Sequence, residues 1–158
     1  MAAAAIAHPA AMRFEQLPLL KQIFEETLRL YPPAPRFDRE AEAPDELAGT
    51  PIAKGDLVSI WPWIIHRHRT LWDDPDRFDH RRFAPERRAA QHRFQYLPFG
   101  GGPRVCVGAR FAMMEALLIM AEWLSARRFA LPTGFMPDPV GSVTLRPRGG
   151  MPLLVSPL

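Results

Sequence analysis

The only cysteine of the chain, Cys106, is the residue whose type and surroundings most clearly indicate chemistry. Three consecutive glycines, residues 100–102, precede it, and Gly108 follows two positions later. A long helical pattern begins directly after Gly108, so the cysteine lies where a glycine-rich loop becomes a helix. The N–H groups and the positive dipole end of a helix N-terminus favour a thiolate over a thiol. Glycines, which carry no Cβ, allow a flat ligand to approach the backbone closely.

Other interpretations of Cys106 fit the sequence less well. A free cysteine is commonly a small buried hydrophobe. The chain has no second cysteine for a zinc site or a redox pair, and Val105 stands where the dinucleotide-binding fingerprint has its third glycine. A pattern of five residues at fixed spacing outweighs the buried-hydrophobe interpretation. The pattern is Phe-x-x-Gly-x-Arg-x-Cys-x-Gly, formed by Phe99, Gly102, Arg104, Cys106 and Gly108.

This loop resembles the haem-binding loop of the cytochrome P450 family. The resemblance implies that Cys106 is the thiolate ligand of a haem b iron, pushing electron density onto the metal to favour O–O cleavage. It also implies that Arg104 pairs with a haem propionate. Phe99, Gly102 and Gly108 would shape the pocket on the cysteine side of the haem.

A second motif lies in the predicted helix of residues 14–31, which has apolar residues at helical spacing. Glu26 and Arg29 are three residues apart and share a face of this helix. Such a pair is usually an exposed ion pair. The proline-rich stretch of residues 32–35 follows, however, and the combination resembles the Glu-x-x-Arg helix of the same family. The resemblance implies a buried ionic triad of Glu26, Arg29 and Arg82 that positions the cysteine loop without doing chemistry itself.

The third member of the triad has a rival in the sequence. Arg82 and Phe83 match two of the four residues of the family's Pro-Glu-Arg-Phe segment. Pro85, Glu86 and Arg87 offer a different register, but no phenylalanine follows Arg87. We therefore prefer Arg82.

Two further positions allow a functional and a structural interpretation. The resemblance places residues 34–37 along the haem pocket, where Arg36 either pairs with a propionate or is an ordinary surface arginine. His66 and His68 suggest a metal site, but residues two apart face different sides of a helix and no ligand partner stands nearby in sequence. We interpret both histidines as structural.

The remaining patterns predict a mainly α fold with small β-sheets, corresponding to the C-terminal portion of the P450 fold. Short strands are expected at Ile52 and over residues 57–61, followed by a short helix and an irregular meander. The helix of residues 109–127 is apolar over a wide arc and is expected to be buried. Strands over 143–146 and 153–155 should flank a glycine turn as terminal hairpins. Residues 1–13 are expected to be a poorly ordered or helical lead-in, and residues 14–158 part of a single haem domain.

Composition excludes several classes of protein. The formal charge is +3, and the arginines are scattered among acidic residues, which disfavours nucleic-acid binding. No apolar run is long enough to span a bilayer, and the N-terminus lacks a secretory pattern. A single cysteine fits a reducing compartment, so we expect a cytoplasmic protein. The basic residues of 84–96, namely Arg87, Arg88, His92 and Arg93, are either a solvated face or, as the resemblance implies by placing them on the cysteine side of the haem, a surface that with Arg110 docks an acidic electron donor.

The family resemblance implies haem-thiolate monooxygenation of a small apolar organic substrate, with electrons from a ferredoxin, a flavodoxin or a reductase. It covers residues 14–158 and only the C-terminal part of the family, without the distal helix and its acid–alcohol pair. We therefore expect no catalytic residue beyond the haem ligand, weak haem affinity and little turnover. The alternatives are a non-catalytic or degenerate haem-binding fragment, a peroxide-using haem-thiolate enzyme, and a helical interaction module.

Overall fold

The computed structural model describes residues 17–158, so the predicted lead-in of residues 1–13 and the first residues of the predicted helix lie outside it. Helix α1 spans Pro18–Leu30, with a proline in its first turn, and ends at the prolines that follow. Strands β1 (Phe37–Glu40), β2 (Asp45–Leu47), β3 (Thr50–Ile52) and β4 (Leu57–Ile60) come next. Short helices α2 (Pro62–Ile65) and α3 (Pro85–Ala89) flank an irregular stretch that contains a 3₁₀ turn at His80–Phe83.

The second half of the chain is built on one long helix. A 3₁₀ turn at Gly102–Arg104 leads to α4, which spans Ala109–Ala126 and begins directly after Gly108, as predicted. Strands β5 (Arg127–Ala130), β6 (Pro139–Gly141), β7 (Leu145–Pro147) and β8 (Leu154–Pro157) complete the described residues. All four sheets are two-stranded and antiparallel, pairing β1 with β4, β2 with β3, β5 with β8, and β6 with β7. This architecture confirms the predicted class, mainly α with small sheets.

The strands of the C-terminal region differ from the prediction. The strand expected over 143–146 begins at Leu145, and it does not pair with the last strand of the chain. β7 pairs instead with β6, and β8 pairs with β5. The strands β5 and β6 were not predicted. β5 was missed because its two arginines resemble the basic end of a helix, whereas strand pairing depends on the distant β8.

The expectation that α4 is buried is wrong for the part of the chain that the structure describes. Only Leu117 and Ala121 of this helix are buried, while Phe111 is 63% exposed and Trp123 is 56% exposed. The apolar arc reflects a surface suited to burial, but α1 and β5 cover only one side of it. The core lies instead where α1 packs on the 3₁₀ turn at His80–Phe83 and on α4. Its buried apolar residues are Leu28, Leu30, Trp72, Phe83, Leu97, Leu117 and Ala121.

Candidate haem-thiolate site

Cys106 is exposed at the tip of a tightly hydrogen-bonded loop. Its own N–H donates to the carbonyl of Phe99 at 2.9 Å, and its carbonyl accepts from Ala109 N–H at 3.3 Å. Gly100 and Gly102 have φ angles of 74° and 72°, a backbone conformation that favours glycine and produces the turn before the cysteine. The loop therefore presents the sulfur outward at the N-terminus of α4.

The surroundings of the sulfur suit a flat apolar group. Val107 is fully exposed and Val105 is 51% exposed, so apolar side chains flank the cysteine without protein packed over them. A Cβ added to Gly108 would make an ordinary van der Waals contact with Cys106 Sγ, at 3.9 Å, so Gly108 lies directly beside the sulfur. A free cysteine sulfur at a helix N-terminus, with apolar neighbours, fits the ligand side of a thiolate-ligated haem.

The other predicted cofactor residues are spread more widely. Phe99 lies in the loop and is partly buried, and Arg104 is exposed on the 3₁₀ turn before Cys106. Arg36 stands away from this loop, at the start of β1. Its Nη2 donates to Asp38 Oδ2 at 2.8 Å, and its guanidinium lies 5.3 Å from the ring centroid of Trp61.

The structure brings Glu26, Arg29 and Arg82 together. Arg29 donates from Nε to Glu26 Oε2 at 2.7 Å and from Nη2 to Glu26 Oε1 at 2.8 Å, and both side chains are completely buried. Arg82 Nε lies 3.4 Å from Glu26 Oε1, an ion-pair distance without hydrogen-bond alignment. Arg87, the rival in the sequence, is exposed and reaches only Asp79, at 3.8 Å.

The ion-pair cluster organises backbone that has little regular structure of its own. Arg29 Nη1 donates to the carbonyls of His66 and Pro75, both at 2.7 Å, and Nη2 donates to the carbonyl of Arg77 at 3.2 Å. Arg82 Nη2 donates to the carbonyl of Asp74 at 2.8 Å. Because a buried carbonyl without a partner is costly, these bonds stabilise the stretch between α2 and the 3₁₀ turn.

Asp79 holds the turn that carries Arg82. Its N–H donates to Glu26 Oε1 at 2.8 Å, and its carboxylate caps the turn by accepting from the N–H and Nε of Arg81 at 3.1 and 2.8 Å. The hydrogen bond from the Arg81 side chain lowers the pKa of Asp79 from 3.8 to about 2. The aspartate therefore stays ionised and keeps capping the turn in mild acid.

His66 is a functional candidate whose role the sequence did not indicate. It is fully buried after α2 and bonds to both Arg29 and Leu97. Burial lowers the pKa of His66 from 6.5 to about 4, so its ring is neutral near pH 7. The described residues contain no group of three His, Cys, Asp or Glu side chains that could hold a metal ion.

Comparison with known proteins places the chain in a family. The model of the protein family described as "Cytochrome P450" matches residues 4–153 of this chain. Cytochrome P450 4B1 of Rattus norvegicus is 38% identical over 140 residues, which are 88% of this chain and 27% of that protein. Cyclooctatin synthase of Streptomyces melanosporofaciens is 38% identical over 151 residues, 94% of this chain and 31% of that protein.

A solved structure agrees with the sequence comparisons. The cytochrome P450DA heme domain superposes with a TM-score of 0.85 at 30% identity, covering 91% of this chain and 32% of that domain. The chain belongs to the cytochrome P450 family and adopts part of the fold of that family. In this family a cysteine thiolate ligates haem iron. It spans about a third or less of the length of these relatives.

None of the helices among residues 17–158 is long and apolar enough to cross a membrane.

Proposed function

We propose that this chain is the haem-binding part of a cytochrome P450 monooxygenase, in which Cys106 provides the thiolate ligand of haem b. The observation that carries the proposal is the exposed sulfur at the N-terminus of α4, surrounded by glycine backbone and exposed valines. Haem held there would supply activation of dioxygen for oxidation of a small apolar organic substrate. Residues 14–158 would form part of a single haem domain.

The residues around Cys106 have separate roles in this proposal. Cys106 would ligate the iron, and the bond from Cys106 N–H to the Phe99 carbonyl holds the loop in its turn. Arg104 is exposed and available for a propionate. Arg36 would pair with the other propionate by giving up its half-exposed ion pair with Asp38, which costs little because such surface pairs are weak.

An open cavity of about 670 Å³ beside the cysteine loop supports an electron-transfer role. Phe99 and Val105 line its apolar wall, and Lys21, Arg88 and Arg110 contribute cations. Apolar contact beside three cations, which outnumber the one carboxyl group of Glu25, suits an acidic redox protein such as a ferredoxin or flavodoxin, or the corresponding part of a reductase. A cytoplasmic location follows from such a donor and from the free thiol.

We also propose that the chain by itself binds haem weakly and turns over little substrate. Val107 and Phe111, on either side of the helix start, are both exposed, and they would need further protein surface to enclose a haem. These exposures favour the second candidate function, a non-catalytic haem-binding fragment, for the isolated chain.

The proposal is tested by titrating haem into the chain, reducing it and adding carbon monoxide. Thiolate ligation gives a red-shifted Soret band that a neutral ligand does not give. We expect a weak band of this kind in the unsubstituted chain and none in Cys106→Ala. Met136→Ala, which alters an exposed side chain between β5 and β6, is the control and should keep the band. Identical spectra for Cys106→Ala and the unsubstituted chain would rule out Cys106 as the ligand.

The type of oxidation is tested by comparing oxidants on the haem-loaded chain, supplemented with further P450 sequence if turnover is undetectable. Product formation that requires dioxygen and an electron donor supports monooxygenation. Product formation with hydrogen peroxide alone, without any donor, would contradict it and favour the peroxide-using alternative.

A further inference from the structure

His66 makes two side-chain hydrogen bonds that join distant parts of the chain. Its Nδ1 lies 3.1 Å from the carbonyl oxygen of Arg29, and its Nε2 lies 2.8 Å from the backbone nitrogen of Leu97. A backbone N–H can only donate and a carbonyl can only accept. Nε2 must therefore be the acceptor, and Nδ1 must carry the proton. The contacts define a neutral imidazole with one tautomer.

The acceptor bond of His66 ends at the entrance of the cysteine loop. Leu97 is buried, and its carbonyl accepts from Gly100 N–H at 3.1 Å. Phe99, two residues beyond Leu97, accepts from Cys106 N–H at 2.9 Å. The backbone that His66 holds is therefore one turn away from the backbone that holds the cysteine.

The donor bond of His66 ends on the ion-pair cluster. Arg29 and His66 bond to each other reciprocally, because the Arg29 guanidinium donates to the His66 carbonyl at 2.7 Å while the His66 ring donates to the Arg29 carbonyl. Tyr96 adds a parallel connection: its hydroxyl donates to the Glu25 carbonyl at 2.9 Å, and its ring centroid lies 5.3 Å from that of His66. Two adjacent residues before the cysteine loop are thus anchored to α1.

We infer that His66 is a positioning residue for the cysteine loop, holding the Leu97 peptide against the buried Glu26–Arg29 pair so that Cys106 is presented in one orientation. The inference rests on the proposed function in one respect, namely that Cys106 is oriented in order to bind haem. The contacts that support it involve no haem. A histidine that only fills the core would depend on ring volume, whereas this role depends on an acceptor at the position of Nε2.

Three variants of the full chain separate hydrogen bonding from volume. The amide oxygen of glutamine in His66→Gln reaches the position of Nε2 and can accept from Leu97 N–H. The shorter His66→Asn reaches only the position of Nδ1, so it can replace the bond to Arg29 and leaves Leu97 N–H without a partner. His66→Phe keeps a ring against Tyr96 and makes neither bond.

The readout is residue-resolved amide hydrogen exchange of Leu97 and Cys106, with amides of the β1–β4 sheet as the internal reference. We expect exchange of the two loop amides to accelerate about tenfold or more, relative to the reference, in His66→Asn and His66→Phe, because each leaves a buried donor unpaired. His66→Gln should stay within about threefold. Equal acceleration of loop and reference amides in all variants, or His66→Gln resembling His66→Phe, would overturn the inference.

A second measurement does not depend on whether the variants fold. The ¹⁵N spectrum of the His66 ring in the unsubstituted chain should show a protonated Nδ1 and an unprotonated Nε2 near pH 7. A protonated Nε2 would refute the inference directly. Both measurements are made without haem, so a failure of haem binding would count against the proposed function alone. If haem does bind, the thiolate Soret band should be retained in His66→Gln and weakened in His66→Phe.

Discussion

Neutralising Glu26 is the perturbation that most directly tests how this fold holds its irregular segments. Glu26 accepts two hydrogen bonds from Arg29 and one from Asp79 N–H, and it is completely buried. Glu26→Gln keeps the shape of the side chain but removes the negative charge. It leaves two buried guanidinium groups, those of Arg29 and Arg82, without a counter-ion.

The expected cost follows from the burial of the pair. Removing one partner of a buried ion pair costs about 3–5 kcal/mol, because the remaining charge is desolvated without compensation. A domain of this size is typically stable by about 5–15 kcal/mol, so the loss is a large share of the total. With a urea m-value of about 2 kcal/mol/M, the unfolding midpoint of Glu26→Gln should fall by about 2 M.

The matched control is Asp138→Asn, which breaks the exposed pair with Arg148, at 2.6 Å, whose side chains are 61% and 70% exposed. Asp138→Asn should destabilise the chain by about 1 kcal/mol or less, and this destabilisation should become smaller at high salt. The destabilisation caused by Glu26→Gln should persist at high salt. If Glu26→Gln does not fold at all, Arg82→Met provides an intermediate case, because Arg29 still balances Glu26. Urea midpoints of Glu26→Gln and Asp138→Asn within 0.5 M of each other (about 1 kcal/mol) would refute the reasoning.

Two further predictions concern acid stability and the surface of α4. The pKa of His66 is about 4 in the folded chain against 6.5 when unfolded, so the unfolded state binds the proton first and stability should fall as pH drops from 6.5 towards 4. The loss should approach about 3 kcal/mol and be absent in His66→Gln, measured by urea unfolding across this range; equal pH slopes in both chains would contradict it. Leu117→Ala should cost about 2–5 kcal/mol because its side chain is 99% buried, while Phe111→Ala, at 63% exposure, should cost about 0.5 kcal/mol or less by thermal unfolding. Equal losses would mean that α4 is covered differently from the structure.

The parts of the fold that the sequence predicted well are those marked by local signals. The prolines after Leu30 end α1 because proline removes donors and fixes φ, and Gly108 precedes α4 as the loop pattern requires. The ends of α4 were predicted almost to the residue. Its environment was not, because an apolar arc reports what a helix can pack against, and the packing partner is a separate fact.

Apart from the contact of Arg82 with Glu26, which the family resemblance implied, long-range contacts could not be predicted from the sequence. The pairing of β5 with β8 joins residues 127–130 to 154–157, and no local pattern encodes that register. His66 bonds to Arg29, which lies 37 positions before it, and to Leu97, which lies 31 positions after it. Its role could therefore not be predicted from the neighbouring sequence, where the only visible pattern is a second histidine two residues later. Helical spacing paired Glu26 with Arg29 and the resemblance implied their burial, but the carbonyls of residues 66–77 that accept from Arg29 could not be identified from the sequence.

The accessibility of the one thiol has a practical consequence for handling the protein. Cys106 is the sole thiol of the chain and it is exposed, so two molecules can join through it when reductant is omitted. Such crosslinked pairs would have no free thiol, so the proposed haem ligand would be blocked in both chains. A colorimetric thiol reagent therefore measures the fraction of chains in a preparation whose Cys106 is still free, with one thiol per chain as the maximum.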